Sequence, residues 1–393
     1  MKHLGLFAGA AILIGAAPAA PPPVATYWMD AATASGMGAG LMGGGRPNPA
    51  QIMQMMNGGG GAQHMLNLYL ASRTKSAAPQ ASHFIPAGMQ MGPSLPLVAP
   101  AAERAEPTTP GMPSNFQRPK GRMLIYWGCG EHAGPGQPTV IDFAKMAAGH
   151  MPPGFASMMS AMHAAQPPRP GQAASYGEWP NDRDSPQVPP GASLVGAHRV
   201  EGNYSPPIAF ALGPGQDFMP TLGLRQAGAG PGGAVPLVWN RAPQATGYAL
   251  SMFGASGNGD MLIWSSANKP TTFPNMDYLS PAQVKTLVAS GAVLSPATSQ
   301  CTVPAEVAAA APSGMVMMIG YGPEAYFSDK PKAPTWTVRA RYKTNATLML
   351  GMGDMSGNGD AGVEQDQQQP QQQAPAKKKR GLGLGDLLGA IPH

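Results

Sequence analysis

Neighbouring methionine and histidine residues are the first candidates for metal chemistry in this sequence, which has 27 methionines among 393 residues. Thioether and imidazole groups are soft ligands that select Cu(I), so these neighbours predict a copper or silver site. Methionine is also an adaptable filler that replaces leucine in loosely packed segments, and this alternative stays open. The candidate ligands are His150, Met151, Met158, Met159, Met162 and His163.

The two cysteines of the chain allow two kinds of chemistry. Cys129 lies beside Glu131 and His132, a grouping that suits a thiol nucleophile with a histidine base, or part of a metal site. A zinc site needs three or four converging ligands, and no second Cys or His lies at ligand spacing. An even cysteine count in an exported chain favours a disulfide, so we predict a bond between Cys129 and Cys301.

The stretch 354–360 resembles the start of a calcium loop, because Asp, Ser, Asn and Asp fall on alternate residues. Position twelve of such a loop requires a bidentate Glu, and Gln365 stands there instead. The stretch 256–260 has the same pattern inside a hairpin turn. Turn formation is therefore the better interpretation of both stretches.

The densest polar cluster of the chain lies in a proline-bounded loop at residues 176–184. Aromatic residues beside carboxylates are typical of surfaces that bind sugars or partner proteins. The alternative is a solvated loop whose Trp179 packs on the domain surface. The predicted ligand patch consists of Tyr176, Glu178, Trp179, Asp182, Arg183 and Asp184.

The C-terminal segment combines a basic run with a short amphipathic stretch. Leu384, Leu387, Leu388 and Ile391 follow the i, i+3, i+4, i+7 spacing of one helix face. A helix this short is marginal alone, so we predict that an envelope protein or an anionic membrane surface orders it. A solubilising tail is the alternative. The basic run is Lys377, Lys378, Lys379 and Arg380, and it lacks the interleaved aromatic residues of a nucleic-acid surface.

Residues 1–19 are typical of a Sec-type signal peptide. A basic start at Lys2 precedes an apolar run over 4–17, and Ala17-Pro18-Ala19 fits the small-residue rule for signal peptidase. The apolar run is shorter than the roughly 20 residues that a spanning helix needs, and no later segment is long enough. We predict cleavage after Ala19 and a periplasmic or extracellular protein with no transmembrane segment and no cofactor.

The composition is typical of a β-rich protein with long irregular connections. Fifty-two glycines and 45 prolines interrupt regular elements, which excludes a mostly helical enzyme. Only 11% of residues are charged, against about 25% in ordinary domains. Because 43% are hydrophobic, a highly charged disordered chain is excluded as well. We predict an all-β fold with disordered Gly/Pro/Gln-rich segments.

Composition and alternation of apolar residues divide the predicted mature chain into four parts. An irregular β domain over 20–203 has strand candidates at 26–30, 65–71, 95–98 and 123–127, a Gly/Met-rich loop at 36–62, and Pro-rich loops at 99–119 and 152–190. A second β domain over 204–348 with a helical insertion, a Gly/Gln/Pro linker over 349–376 and a basic amphipathic tail over 377–393 follow.

The clearest local signals lie in the second half of the chain. Asn258-Gly259 lies between alternating runs and predicts a hairpin, because both residues tolerate positive φ. Ser280 followed by Pro281 predicts the start of a helix that ends near Ser290.

Four runs of this half resemble a fibronectin type III domain. They are Leu-Val-Trp at 237–239, Ala-Thr-Gly-Tyr-Ala-Leu at 245–250, Ile-Trp-Ser-Ser at 263–266 and Trp-Thr-Val-Arg-Ala-Arg-Tyr at 336–342. The resemblance implies a sandwich with Trp239 and Tyr248 in its core. The helix and the Cys301 loop between Pro274 and Gly314 depart from the family pattern.

A short internal similarity suggests that the chain contains a duplication. The stretch 121–127 parallels 259–264, since both contain Met-Leu-Ile before an aromatic residue, and a Pro-Thr pair follows each. Chance similarity between apolar strands is the alternative.

These observations favour a non-enzymatic binding or scaffolding protein of the cell envelope. The alternative is an exported protein that binds copper or silver through Met and His. An enzyme is the third possibility, because catalytic sites need converging ionisable groups and charge is scarce here.

Overall fold

β-Strands form most of the regular structure in the computed structural model, which describes residues 21–36, 62–100, 121–147, 164–270 and 277–351. This confirms the all-β class. The strands are, in chain order, β1 Ala25–Gly36, β2 Gln63–Ser72, β3 Ala81–Phe84, β4 Ser94–Leu97, β5 Arg122–Trp127, β6 Thr139–Asp142, β7 Ser175–Trp179, β8 Gly196–Gly202, β9 Ser205–Leu212, β10 Arg225–Gln226, β11 Val235–Val238, β12 Gly247–Ala255, β13 Met261–Ser265, β14 Gln300–Val303, β15 Met315–Ser328 and β16 Trp336–Met349. The α-helices of these residues are α1 Phe143–Ala147, α2 Pro281–Ala289 and α3 Ala305–Ala310.

The strands of the described residues form three sheets. The largest has nine strands in the order β6-β5-β13-β12-β15-β16-β1-β2-β7. A four-stranded sheet has the order β4-β3-β8-β9, and a three-stranded sheet the order β10-β11-β14. Neighbouring strands are antiparallel except for β1 with β16 and β5 with β13, which are parallel.

Both predicted domains contribute strands to the nine-stranded sheet. β1 pairs with β16 from Ala25 opposite Trp336 onward. β5 and β13, the two similar stretches of the sequence, pair with Met123 opposite Met261. The predicted boundary after residue 203 therefore does not separate two sheets. Alternating hydrophobicity identifies a strand and its buried face, but it does not identify the partner strand.

The main core lies between the nine-stranded sheet and the two smaller sheets. Leu68 and Leu250 of the large sheet, Val200 of the four-stranded sheet and Leu237 of the three-stranded sheet belong to one buried cluster. We call this side of the large sheet the core face and the opposite side the outer face. On the outer face, α2 packs over β12 and β15 through Val284.

The predicted hairpin and helix are confirmed. The turn between β12 and β13 is closed by Ser256 N–H, which donates to Asp260 O at 2.8 Å, and Gly259 has a φ of +80°. Helix α2 begins after Ser280, whose Oγ accepts from Gln283 N–H at 3.3 Å. Gln283 Oε1 accepts from Ser280 N–H at 2.9 Å in return, which completes a capping box.

The sequence patterns do not predict β3, β6, β7, β10 and β14. Because β7 lies inside the Pro-rich stretch 152–190, the loop prediction is wrong for Ser175–Trp179. This run of Ser-Tyr-Gly-Glu-Trp has weak alternation, and its pairing with β2 makes it a strand. Most of the predicted loops 36–62 and 99–119 lies outside the described residues.

Candidate functional site

Cys129 and Cys301 form a disulfide, which confirms the predicted bond. It joins the loop after β5 to β14, so it links the large sheet to the three-stranded sheet. A bonded sulfur is no thiolate, so Cys129 is neither nucleophile nor metal ligand here. His132 pairs instead with Glu306, whose Oε1 lies 3.0 Å from His132 Nδ1. The Ala133 N–H, which donates to Glu306 Oε2 at 2.8 Å, and His132 together lower the pKa of Glu306.

A cleft of about 570 Å³ lies beside the disulfide. Trp127 and Gln137 contribute to its lining, and they bond to one another. Trp127 N–H donates to Gln137 Oε1 at 2.8 Å, and Gln137 Nε2 donates to Trp127 O at 3.0 Å. These polar groups therefore form hydrogen bonds within the fold and are not available to a ligand.

The predicted patch at 176–184 is divided between two faces of the large sheet and a turn. Trp179 is only 2% exposed and lies in the main core, where its Nε1 donates to Asp184 Oδ2 at 2.9 Å. Tyr176 is also buried, and its hydroxyl donates to Glu178 Oε2 at 2.6 Å. Asp182 and Arg183 are exposed in the turn after β7. The Trp179 ring cannot anchor a ligand, because alternation along β7 turns it into the core. Tyr176 lies on the same face as Glu178, but its ring is buried as well.

Glu178 nevertheless belongs to a row of side chains that crosses the outer face. Strand pairing places Glu178 opposite Tyr69, Tyr69 opposite Trp28, Trp28 opposite Arg339, and Arg339 opposite Tyr326. Residues directly opposite one another share one side of a sheet, so all five point the same way. We call Glu178, Tyr69, Trp28, Arg339 and Tyr326 the aromatic row.

Arg339 organises one end of the aromatic row. Its guanidinium lies 4.6 Å from the ring centroid of Trp28 and 5.4 Å from that of Tyr326. Arg339 Nη2 donates to Glu324 Oε1 at 2.6 Å, and the Tyr326 hydroxyl donates to Glu324 Oε2 at 2.5 Å. Desolvation and this bond raise the pKa of Tyr326 to about 12, so its phenol stays protonated at neutral pH. Tyr326 is also 63% exposed, which makes its ring accessible.

A buried ion pair lies next to the aromatic row on the same face. Arg341 is 1% exposed, and its Nε donates to Asp30 Oδ1 at 2.6 Å while its Nη2 donates to Asp30 Oδ2. Arg341 Nη1 donates to Ala165 O at 2.5 Å, and the guanidinium lies within 4.7 Å of the rings of Trp28 and Tyr278. Burial raises the pKa of Asp30 although Arg341 opposes the shift. This pair fixes β1 against β16 beneath the accessible surface.

Sequence reasoning missed four members of the aromatic row and found only Glu178. The alternation of Arg339, Arg341 and Lys343 within and just after the run 336–342 was a usable signal, because it places three cations on one side of an extended segment. Trp28 carried no such signal, since its neighbours across the sheet come from β2 and β16.

Several predicted sites lie outside the described residues and stay predictions. They are the signal peptide at 1–19, the Met/His ligands His150, Met151, Met158, Met159, Met162 and His163, the calcium-like stretch at 354–360, the linker after residue 351, and the tail residues Lys377, Lys378, Lys379, Arg380, Leu384, Leu387, Leu388 and Ile391. Within the part of the chain that the structure describes, no three His, Cys, Asp or Glu side chains converge to hold a metal ion. No helix of that part is long and apolar enough to cross a membrane.

No protein-family model, curated protein or solved structure matches this chain. The resemblance to fibronectin type III domains therefore stays a prediction. Trp239 and Tyr248, which that resemblance places in a core, are both buried, with their ring centroids 5.7 Å apart in an edge-to-face contact.

Proposed function

We propose that the protein is an exported, non-enzymatic binding protein of the cell envelope whose partner is another protein, held by the aromatic row. The observation that carries this proposal is the alignment of five aromatic and charged side chains on five adjacent strands, with Tyr326 63% exposed at one end. The disulfide supports an oxidising compartment, because such bonds persist outside the cytosol.

The composition of the aromatic row favours a protein partner. Tyr, Trp and Arg are the residue types that most often supply the binding energy of protein interfaces. Arg339 is held by Glu324 and by two rings, so it loses little side-chain freedom when a partner covers it. The position on paired strands also keeps the surface rigid, which lowers the entropic cost of binding further.

The C-terminal tail supplies a second contact in this proposal. Its basic run and apolar helix face would dock on an envelope protein or on anionic lipid, while the aromatic row binds the partner. Two linked contacts increase the overall affinity well beyond either contact alone.

Crosslinking and co-purification from the native cell envelope test this function. Tyr326→Ala removes the exposed ring, and truncation after Val363 removes the tail. Val140→Ser is a matched control, because Val140 is 43% exposed but lies on edge strand β6, at the far side of the sheet. We expect Tyr326→Ala to lose most of the recovered partner, truncation to lose part of it, and the control to lose none. Equal recovery with all four proteins would refute the proposal.

A further inference from the structure

Two histidines are fully buried in the main core, between the four-stranded sheet and β1. The Tyr27 hydroxyl lies 2.9 Å from His83 Nδ1, and His83 Nε2 lies 2.9 Å from His198 Nδ1. His198 Nε2 lies 2.7 Å from Leu194 O. We call this series of hydrogen bonds the histidine chain. It runs from β1 of the large sheet through β3 and β8 of the four-stranded sheet.

The carbonyl at one end determines where every proton lies. Leu194 O only accepts, so His198 Nε2 must carry a proton and donate. A neutral ring has one N–H, so His198 Nδ1 accepts from His83 Nε2–H. By the same argument His83 Nδ1 accepts, and the Tyr27 hydroxyl donates to it. All three hydrogen bonds are thus satisfied with two neutral rings in a single arrangement of protons.

The surroundings of the histidine chain are mainly aromatic. The Phe210 ring of β9 stacks on His198 with centroids 5.0 Å apart and lies 6.3 Å from the His83 ring. Tyr204, between β8 and β9, acts electrostatically on Tyr27 from the other end. No acidic group thus faces either imidazole from these elements.

The charged groups near the ends of the histidine chain are paired with other groups. Asp217 accepts from Leu194 N–H at 2.8 Å and from Ser193 Oγ at 2.6 Å, and it acts electrostatically on His64 rather than on His83 or His198. Arg199 and Glu201 lie on the exposed side of β8 and pair with each other at 2.8 Å. A cation on His83 or His198 would therefore lack a compensating carboxylate.

We propose that the histidine chain is an acid-sensitive latch that holds the four-stranded sheet on the nine-stranded sheet. A proton added to His198 Nδ1 sets two N–H donors, those of His198 and His83, against each other. A proton added to His83 Nδ1 faces the Tyr27 hydroxyl, whose hydrogen then loses its acceptor. Either event breaks or reverses a buried hydrogen bond and leaves a buried charge.

The electrostatics set the direction of the effect. Burial lowers the pKa of His83, and His198 lowers it further; burial also lowers the pKa of His198, against the effect of Leu194 O. Because both pKa values lie below the ordinary value of about 6.5, the unfolded chain takes up protons first as the pH falls. The contribution to stability is complete above about pH 6.5 and is lost below it. Each histidine raises the unfolding equilibrium constant by up to about tenfold per pH unit.

Urea unfolding between pH 8 and pH 5 tests the latch in the full-length chain. His64→Gln serves as the background, because burial lowers the pKa of His64 as well. Three proteins are compared in this background. The parent has no further substitution, the double variant carries His83→Gln and His198→Gln, and the control carries His132→Gln at an exposed histidine. We expect a steep loss of stability below pH 6.5 in the parent and the control, and a much flatter profile in the double variant. An equally steep loss of stability below pH 6.5 in all three proteins would overturn the proposal.

Two measurements on the unaltered protein cover the case in which the double variant fails to fold. Imidazole nitrogen NMR is expected to show the Nε2–H tautomer for both rings at pH 7.5, and no titration of either ring near pH 6.5 while the protein is folded. Pulsed hydrogen exchange after incubation at pH 5 is expected to show earlier loss of protection in β3 and β8 than in β11 and β14. An Nδ1–H tautomer, titration near pH 6.5, or simultaneous loss in both sheets would overturn the latch.

Discussion

The two smaller sheets cover the same face of the large sheet but are attached by different chemistry. The three-stranded sheet is bonded covalently, because Cys301 of β14 forms a disulfide with Cys129 after β5. The four-stranded sheet is held by apolar packing, by the histidine chain, and just after β4 by a backbone bridge between Val98 and Glu178. One attachment responds to reductants and the other is predicted to respond to acid. Attachment chemistry, rather than position, therefore determines which condition releases each sheet.

Removal of the disulfide should have the largest effect and should be confined at first to the three-stranded sheet. Cys129→Ala with Cys301→Ala opens a loop between residues 172 apart, which the chain-entropy treatment values at about 5 kcal/mol of unfolding free energy. Hydrogen exchange should show protection lost first in β11 and β14. Equal early loss in β8 and β9 would contradict the difference between the two sheets.

Removal of the buried cation should affect both small sheets equally, because both pack on the sheet that contains β1 and β16. We expect Arg341→Met to cost about 4 kcal/mol by denaturant unfolding, since Asp30 is left buried and unpaired. The exposed residue Arg183 supplies the control, and Arg183→Met should change little. Adding Asp30→Leu to Arg341→Met should restore much of the loss. If it restores none, the cost does not come from an unpaired charge.

Two tyrosine-to-phenylalanine variants test the two small sheets separately, with a smaller expected loss of stability. Tyr27→Phe removes the hydroxyl that donates to His83 Nδ1 and should cost about 2 kcal/mol, because a buried acceptor loses its partner. In the Tyr27→Phe variant, protection from hydrogen exchange should be lost first in β3 and β8. Tyr248→Phe is the counterpart, since the Tyr248 hydroxyl accepts from Ala242 N–H at 2.8 Å between β11 and β12. The same exchange pattern from both variants would show that the two sides are not independent.

The smallest expected effect lies outside both small sheets. Ser280→Ala removes the N-cap of α2, where Ser280 Oγ accepts from Gln283 N–H, and should cost about 1 kcal/mol in thermal or urea unfolding. Ser280→Asp should retain stability, because its carboxylate can accept the same bond. Exchange in either small sheet should stay unchanged. A loss of protection there would mean that α2 on the outer face controls packing on the core face.

The hairpin turn and the helix start could be predicted from the sequence, because each depends on neighbouring residues. The turn at Asn258-Gly259 and the helix start at Ser280 each rest on a backbone preference of one or two residues. The disulfide followed from cysteine count and compartment rather than from geometry. The pairing of distant strands could not be predicted from the sequence, since no residue near Trp28 indicates that Arg339 lies opposite it.

The candidate surface was predicted only in part for the same reason. The sequence pattern predicts that Tyr176, Glu178 and Trp179 belong to one polar aromatic loop. In the structure, alternation along β7 turns Trp179 into the core and Glu178 onto the outer face. The histidine chain gave no signal, because His83 and His198 are 115 residues apart and each is the only histidine of its strand. Such sites arise from register, and register is a property of the assembled sheet.

The parallel pairing of β1 with β16 sets the order in which the molecule can assemble. Asp30 and Arg341 are 311 residues apart, so their strands meet only after nearly the whole described chain has emerged. Until then β1 can pair with β2 alone, and its other edge is an open template for foreign strands. Folding with such high contact order is slow, and transiently unpaired edges promote aggregation. A chain built this way gains from chaperones that shield β1 until β16 arrives.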